Sequence, residues 1–140
     1  MDARALNEAI GQGIRKVYYP DRIELYLPFF IGNEKSEEFC LAFDRDGVLS
    51  DGGRTLEELK KRVGDLTPYR ETIRNILDHF GTVALEGGQK LVVRSFQTCS
   101  FGDKEYLDYA GGLSRMIRVI ALICAADRIK VDEDGVVSLC

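Results

Sequence analysis

Phe39, Leu41 and Phe43 alternate with Cys40, Ala42 and Asp44, the period-two pattern of a strand with one buried face. Asp44-Arg45-Asp46-Gly47 supplies turn chemistry, because Asp and Gly accept the backbone angles of a tight reversal. Val48-Leu49-Ser50 is expected to pair back antiparallel, and Asp51-Gly52-Gly53 to end that strand. Thr55 followed by Glu58 spells a Thr-x-x-Glu capping box. Leu56, Leu59 and Val63 then give the helix behind it an apolar stripe.

The same patterning divides the rest of the chain. Asp2 to Ile14 reads as a short helix weakened by Gly11 and Gly13, and Arg15 to Tyr19 as a first strand. Ile23, Leu25, Leu27 and Phe29 alternate along the clearest strand, with Pro28 belonging at an edge or near the strand's end, and Gly32 to Glu38 is a polar loop. Thr67-Pro68 starts a second helix, Thr as cap and Pro at the first turn. Its stripe is Ile73, Ile76, Leu77 and Phe80, with Gly81 as the stop. Val83 to Leu85, Gly87-Gly88 and Lys90 to Arg94 form a hairpin, and Gln97 to Gly102 a loop. Asp103 to Ala126 is the longest helical run, apolar around so much of its circumference that it is buried or lies at a subunit contact. Gly111-Gly112 inside it points to close backbone packing. Ile129 to Val131 and Val136 to Leu139 close the chain as a small hairpin.

The predicted architecture is α+β: an antiparallel sheet of hairpins, helices packed on one face, and a long C-terminal helix. The order IELYLPFF, a spacer, FCLAFDRDGVLSDGGRTLEEL, then TPYRETIRNILDHFGTVALEGGQKLVV resembles the bacterial and phage family catalogued as domain of unknown function eighteen-twenty-eight. The motif of that family is a Leu-Thr-Asp-Asp-Gly-x-Thr turn entering a helix. Leu49, Asp51, Gly53 and Thr55 match it, while Ser50 replaces Thr and Gly52 replaces the second Asp. The resemblance runs from about Val17 to Phe96 and rests on order and spacing. It implies a fold and a phage, prophage or bacterial setting, and no established activity.

Composition narrows the picture. A chain of 140 residues reads as one domain, with residues 17–96 the family-like core and 97–140 a C-terminal helix and small hairpin. A net charge of −4 argues against bulk attraction to nucleic acid or an anionic membrane. No export signal opens the chain, and the longest apolar stretch, Val119 to Ala126, is too short to span a bilayer. Cys40, Cys99, Cys124 and Cys140 show no Cys-x-x-Cys spacing, so free thiols in a reducing cytoplasm are expected.

Candidate chemistry is sparse. Asp44-x-Asp46-Gly47 and Asp132-x-Asp134-Gly135 look like calcium loops, but neither supplies both Gly at position six and Glu at position twelve. Turn chemistry accounts for both. Asp51-Gly52-Gly53-Arg54-Thr55 at a helix start could hold an anion on its free amides, or simply be a capped turn that sets the helix on the sheet; no phosphate-loop lysine follows, which favours the turn. His79 is the single histidine, without a nucleophile or metal-ligand partner. Lys60, Lys61, Arg62, Arg70 and Arg74 could line a basic face on two consecutive helices, or a solvated exterior. Glu58-Leu59-Lys60 offers the Glu-x-Lys of a nuclease, on residues that capping already explains. Core packing is expected to take most of Tyr18, Tyr19, Tyr26, Phe29 and Phe30, while an exposed Tyr19 or Phe30 could anchor a partner.

These features lead to a non-enzymatic protein-binding module without a cofactor, an inhibitor or accessory factor in phage–host conflict. Its binding residues would come from Asp51, Gly52, Gly53, Arg54, Lys60, Lys61, Arg70 and Arg74, and a homodimer through the 103–126 helix is open. The rivals are a nucleic-acid-binding accessory domain using the Lys60 to Arg74 face and a metal-dependent hydrolase centred on Asp51.

Overall fold

The computed structural model describes residues 14–27 and 39–139. All but the last residue of the helix expected over Asp2 to Ile14, the strand beyond Leu27 with Phe29 and Phe30, the Gly32 to Glu38 loop and Cys140 lie outside the described residues.

Six strands form one antiparallel sheet: β1 (Arg15–Tyr18), β2 (Arg22–Leu27), β3 (Phe39–Asp44), β4 (Leu49–Ser50), β5 (Ala84–Glu86) and β6 (Lys90–Val93), in the spatial order β1-β2-β3-β4-β6-β5. The register places Leu25 opposite Leu41, and Phe43 between Ile23 and Leu49. Ile23, Leu25, Leu27, Phe39, Leu41, Phe43 and Leu49 are all buried on that one side, while Glu24, Tyr26, Cys40 and Ala42 on the other remain half-exposed. The strand alternation therefore predicts the inward face correctly.

Three helices cover the buried face: α1 (Arg54–Val63), α2 (Arg70–His79) and α3 (Tyr109–Cys124). Leu56 and Leu59 of α1, Ile73 and Ile76 of α2, and Met116, Val119, Ile120 and Ile123 of α3 join the sheet residues in one core. The apolar stripe of α3 is thus covered within a single chain, while Tyr106 and Leu107 ahead of it remain exposed. Gly112 lies so close to Phe96 that a methyl group there would overlap the ring. Phe96 in turn packs on Phe43 and Tyr109, with ring centroids 5.7 and 5.1 Å away. No helix among the described residues is long and apolar enough to cross a membrane.

Two expectations need correcting. The segment read as a loop over Gln97 to Gly102 and a helix from Asp103 is a hairpin, β7 (Thr98–Phe101) and β8 (Lys104–Leu107), reversed at Gly102-Asp103. Thr98, Cys99, Phe101 and Tyr106 favour extended backbone, and α3 starts only at Tyr109, where the Asp108 carboxylate accepts the Gly111 amide at 2.9 Å. Tyr106 stands four residues before Ala110, the spacing of a helical stripe, and is nonetheless extended. At the start of α2, Thr67 is not the cap: its amide and hydroxyl both donate to Asp65, at 3.0 and 2.8 Å, which pulls the Asp65 carboxyl below its ordinary range. A 3₁₀ turn, Thr67–Tyr69, leads into the helix.

The chain closes with β9 (Ile129–Val131) and β10 (Val137–Leu139). Buried Asn75 of α2 donates to the Val131 carbonyl at 2.8 Å, tying this hairpin to the helix.

Candidate functional site

The Asp51 loop satisfies itself. Asp51 is 3% exposed. Its Oδ1 accepts the Gly53 amide at 2.8 Å and the Leu91 amide at 2.9 Å, and its Oδ2 accepts the Thr55 amide at 3.2 Å. Gly52 and Gly53 make this wrap possible by taking φ of 67° and 84°. The Gly53 and Thr55 amides that would greet an anion are occupied by a carboxylate of this chain, and the Gly52 amide goes to Ser50 Oγ at 3.0 Å. Arg54 lies over the Phe39 ring, 5.4 Å from its centroid.

The capping box is not formed. Gly53 occupies the N-cap position without a side-chain cap, Thr55 Oγ1 is buried and finds no hydrogen-bond partner among the described residues, and Glu58 sits 3.7 Å from Lys61. Asp51, two residues before the N-cap and anchored in β4's continuation, supplies the acceptor instead. The acidic turns behave as turn chemistry requires: Asp44 Oδ1 accepts the Asp46 and Val48 amides, and Asp132 Oδ1 accepts those of Asp134 and Val136.

The predicted basic face is divided. Lys61 lies between Glu57 and Glu58 at 3.6 and 3.7 Å. Arg62 forms a two-pronged pair with Asp127, Nε to Oδ2 at 3.1 Å and Nη2 to Oδ1 at 2.7 Å, and also donates to the Cys124 carbonyl. The hydrogen bonds from Arg62 hold the Asp127 carboxyl below its ordinary range. Arg62 therefore staples α1 to the end of α3. Arg70 and Arg74 go elsewhere, to the rim of a groove of about 610 Å³ that Lys60 and Lys61 do not line.

That groove runs between α2 and β5. Leu56, Ile73, Leu77, Val83 and Leu85 supply apolar wall, while Arg70, Arg74 and Asp78 form a row along α2 at four-residue spacing. β5 is the edge of the sheet, and no strand of the described residues pairs with its outer side. The groove needed β5, α1 and α2 assembled, so sequence periodicity alone could not show it.

A second surface is the β7–β8 hairpin. All eight of its residues are exposed, with Phe101 at 84%, Tyr106 at 40% and Leu107 at 47%. The register puts Cys99 opposite Tyr106 and Phe101 opposite Lys104, so the two aromatics share one face.

The remaining chemistry-bearing groups have structural surroundings. His79 packs edge-on against Phe80, ring centroids 5.1 Å apart, and against Gly135. On the open face of the sheet, the Tyr26 hydroxyl donates to Glu24 at 2.8 Å and Arg15 lies over the Tyr26 ring at 4.0 Å. The bond to Glu24 holds the Tyr26 phenol up at about 12 and, in turn, draws the Glu24 carboxyl down. Burial pushes the Cys124 thiol up to about 11 and raises that of Cys40. Among the described residues no three His, Cys, Asp or Glu side chains gather in a way that could hold a metal ion. Compared with known proteins, the chain matches no family model, no curated protein and no solved structure.

Proposed function

We propose that this chain is a non-enzymatic protein-binding module of a bacterial or phage cytoplasm, in the setting implied by the domain-of-unknown-function resemblance, and that the β7–β8 hairpin is its principal contact surface. One observation carries the reading: Phe101 and Tyr106 are exposed on one face of a two-stranded ribbon, and Leu107 is exposed on the other. An isolated two-stranded hairpin is marginal in water, and aromatic side chains are the usual anchors of protein interfaces. Fully burying a phenylalanine side chain is worth about 1.5–3 kcal/mol, part of which offsets the cost of association. Occupation of a partner's surface needs no catalytic residue, which suits a factor acting in phage–host conflict.

A photo-crosslinking residue at Phe101, with a control at exposed Lys130, tests this in lysate of the source bacterium. A discrete protein adduct at position 101 that Tyr106→Asp removes, without loss of folding, is the expected result. No adduct at position 101, or substrate turnover by the purified chain, would overturn the reading.

The nucleic-acid alternative draws on Arg70 and Arg74, and predicts binding that weakens with salt and with charge reversal at Arg74. The metal-dependent hydrolase alternative predicts that Asp51→Ala abolishes an activity while leaving the fold intact.

A further inference from the structure

We propose that the groove between α2 and β5 binds an extended, acidic segment of a partner protein, which adds itself as a strand to the outer edge of β5, unpaired among the described residues. The inference shares the protein-binding reading in kind but uses a different surface from the hairpin.

The first support is the direction of the Leu85 backbone. Leu91, its partner in β6, donates its amide to Asp51 Oδ1 at 2.9 Å and accepts the Asp51 amide on its carbonyl at 3.1 Å. Both Leu91 groups therefore point toward β4. Opposed residues of an antiparallel pair exchange both backbone bonds or neither, so the Leu85 amide and carbonyl face away from β6, out of the sheet. The Val83 amide is already taken by the Phe80 carbonyl at 2.9 Å. Leu85 is thus the residue that offers a donor and an acceptor to an added strand. Such edges are used for strand addition, where backbone bonds give affinity and alternate side chains give specificity.

The second support is chemical. Leu85 is half-buried and its side chain lines the same groove as Ile73 and Leu77, so a strand docked on β5 would send every second side chain over an apolar wall. Arg70 and Arg74 stand on the rim, and no ion pair engages either among the described residues. One helical turn separates them, a rise of about 6 Å. Side chains two apart on an extended chain are spaced by about 6.8 Å. Two carboxylates at positions i and i+2 can therefore meet the two guanidinium groups in succession. Asp78 follows in the same row and repels a third carboxylate, which confines the acidic pair to one end of the segment. An apolar side chain takes the next position on the Asp78 side of the pair.

A random linear peptide library selected against the full chain, followed by titration of the synthesised winner, tests the inference. The expected winners carry two Asp or Glu residues two positions apart at one end, with apolar residues at alternate positions on the side of the pair away from that end. Arg70→Glu with Arg74→Glu should weaken the winner at least tenfold while the circular dichroism spectrum and Tm stay unchanged. Methylating one backbone nitrogen of the peptide, at the amide facing Leu85, should weaken it by a similar factor and leaves the protein untouched. The inference fails if the library yields basic peptides, peptides with helical spacing or no enrichment, or if N-methylation at no position matters. It also fails if sedimentation shows a dimer of this chain that Arg74→Glu dissolves, or if an oligonucleotide displaces the winner. None of these results touches crosslinking at Phe101, so the two readings fall separately.

Discussion

The Asp51 carboxylate accepts the Leu91 amide at 2.9 Å across 40 residues of sequence, and the same oxygen accepts the Gly53 amide at 2.8 Å. One buried side chain thereby joins the entry to α1 to the strand that carries the β5 edge. Hydrogen bonds to a charged acceptor contribute about 1.5–3 kcal/mol each, and stranding a buried donor costs a comparable amount. Asp51→Ala should therefore cost about 3 kcal/mol or more, a large part of a typical domain's stability. Asp51→Asn keeps Oδ1 and loses the Thr55 contact, so it should cost about half as much. Urea denaturation of both variants measures this. A stable Asp51→Ala protein would return the loop to candidacy as a chemical site.

Thr55 supplies a sharper test, because the capping box and the observed geometry predict opposite signs. A box hydroxyl replaced by an apolar group costs about 1 kcal/mol. Here Oγ1 is buried without a partner among the described residues, and a buried hydroxyl without a partner is itself unfavourable. Thr55→Val should be neutral or stabilising by up to about 1 kcal/mol. Destabilisation by the amount a cap is worth would show that the hydroxyl has a partner after all.

The Arg62–Asp127 pair predicts a pH dependence. The Asp127 carboxyl is held below its unfolded value of about 3.9 by its bonds to Arg62. The pair's contribution is therefore complete above about pH 4 and is lost as pH falls through the lower folded value. Asp127→Asn should cost about 1 kcal/mol at pH 7, since the pair is partly exposed. The two proteins should converge in stability as pH falls below about 4. A constant gap over that range would mean the charge of Asp127 is immaterial.

What the sequence disclosed was local. The Phe39 to Asp44 alternation, the two Asp-initiated turns and the α2 stripe each depend on residues within a few positions of one another, and each is found as expected. What it hid was long-range. Thr-x-x-Glu satisfied a local rule that Asp51 overrode, because β4 and β6 had already fixed that carboxylate beside the helix start. Arg62 counted toward a basic face until its partner, 65 residues on, was in place. The hairpin at residues 98–107 was lost to a helical period shared by Tyr106 and Ala110, and the groove exists only once α2 faces β5. Of the nominated binding residues, Arg70 and Arg74 reach the groove, while Asp51, Gly52 and Gly53 build the scaffold next to it.

Gly135 and His79 bring the last prediction. Gly135 turns the β9–β10 hairpin at φ 79°, and a Cβ there would overlap Nδ1 of His79 on the last turn of α2. Gly135→Ala carries two penalties: the left-handed backbone, about 1–2 kcal/mol for a residue with a side chain, and the collision with the imidazole. Removing the ring isolates the second, so Gly135→Ala should cost about 1 kcal/mol less in a His79→Ala background than in the natural chain. Thermal denaturation of the four proteins of this cycle gives the coupling directly. If the two changes simply add, the hairpin does not rest on the histidine. If they couple as expected, His79 fixes the C-terminal hairpin against α2, the helix that carries Arg70 and Arg74, and its role is one of packing.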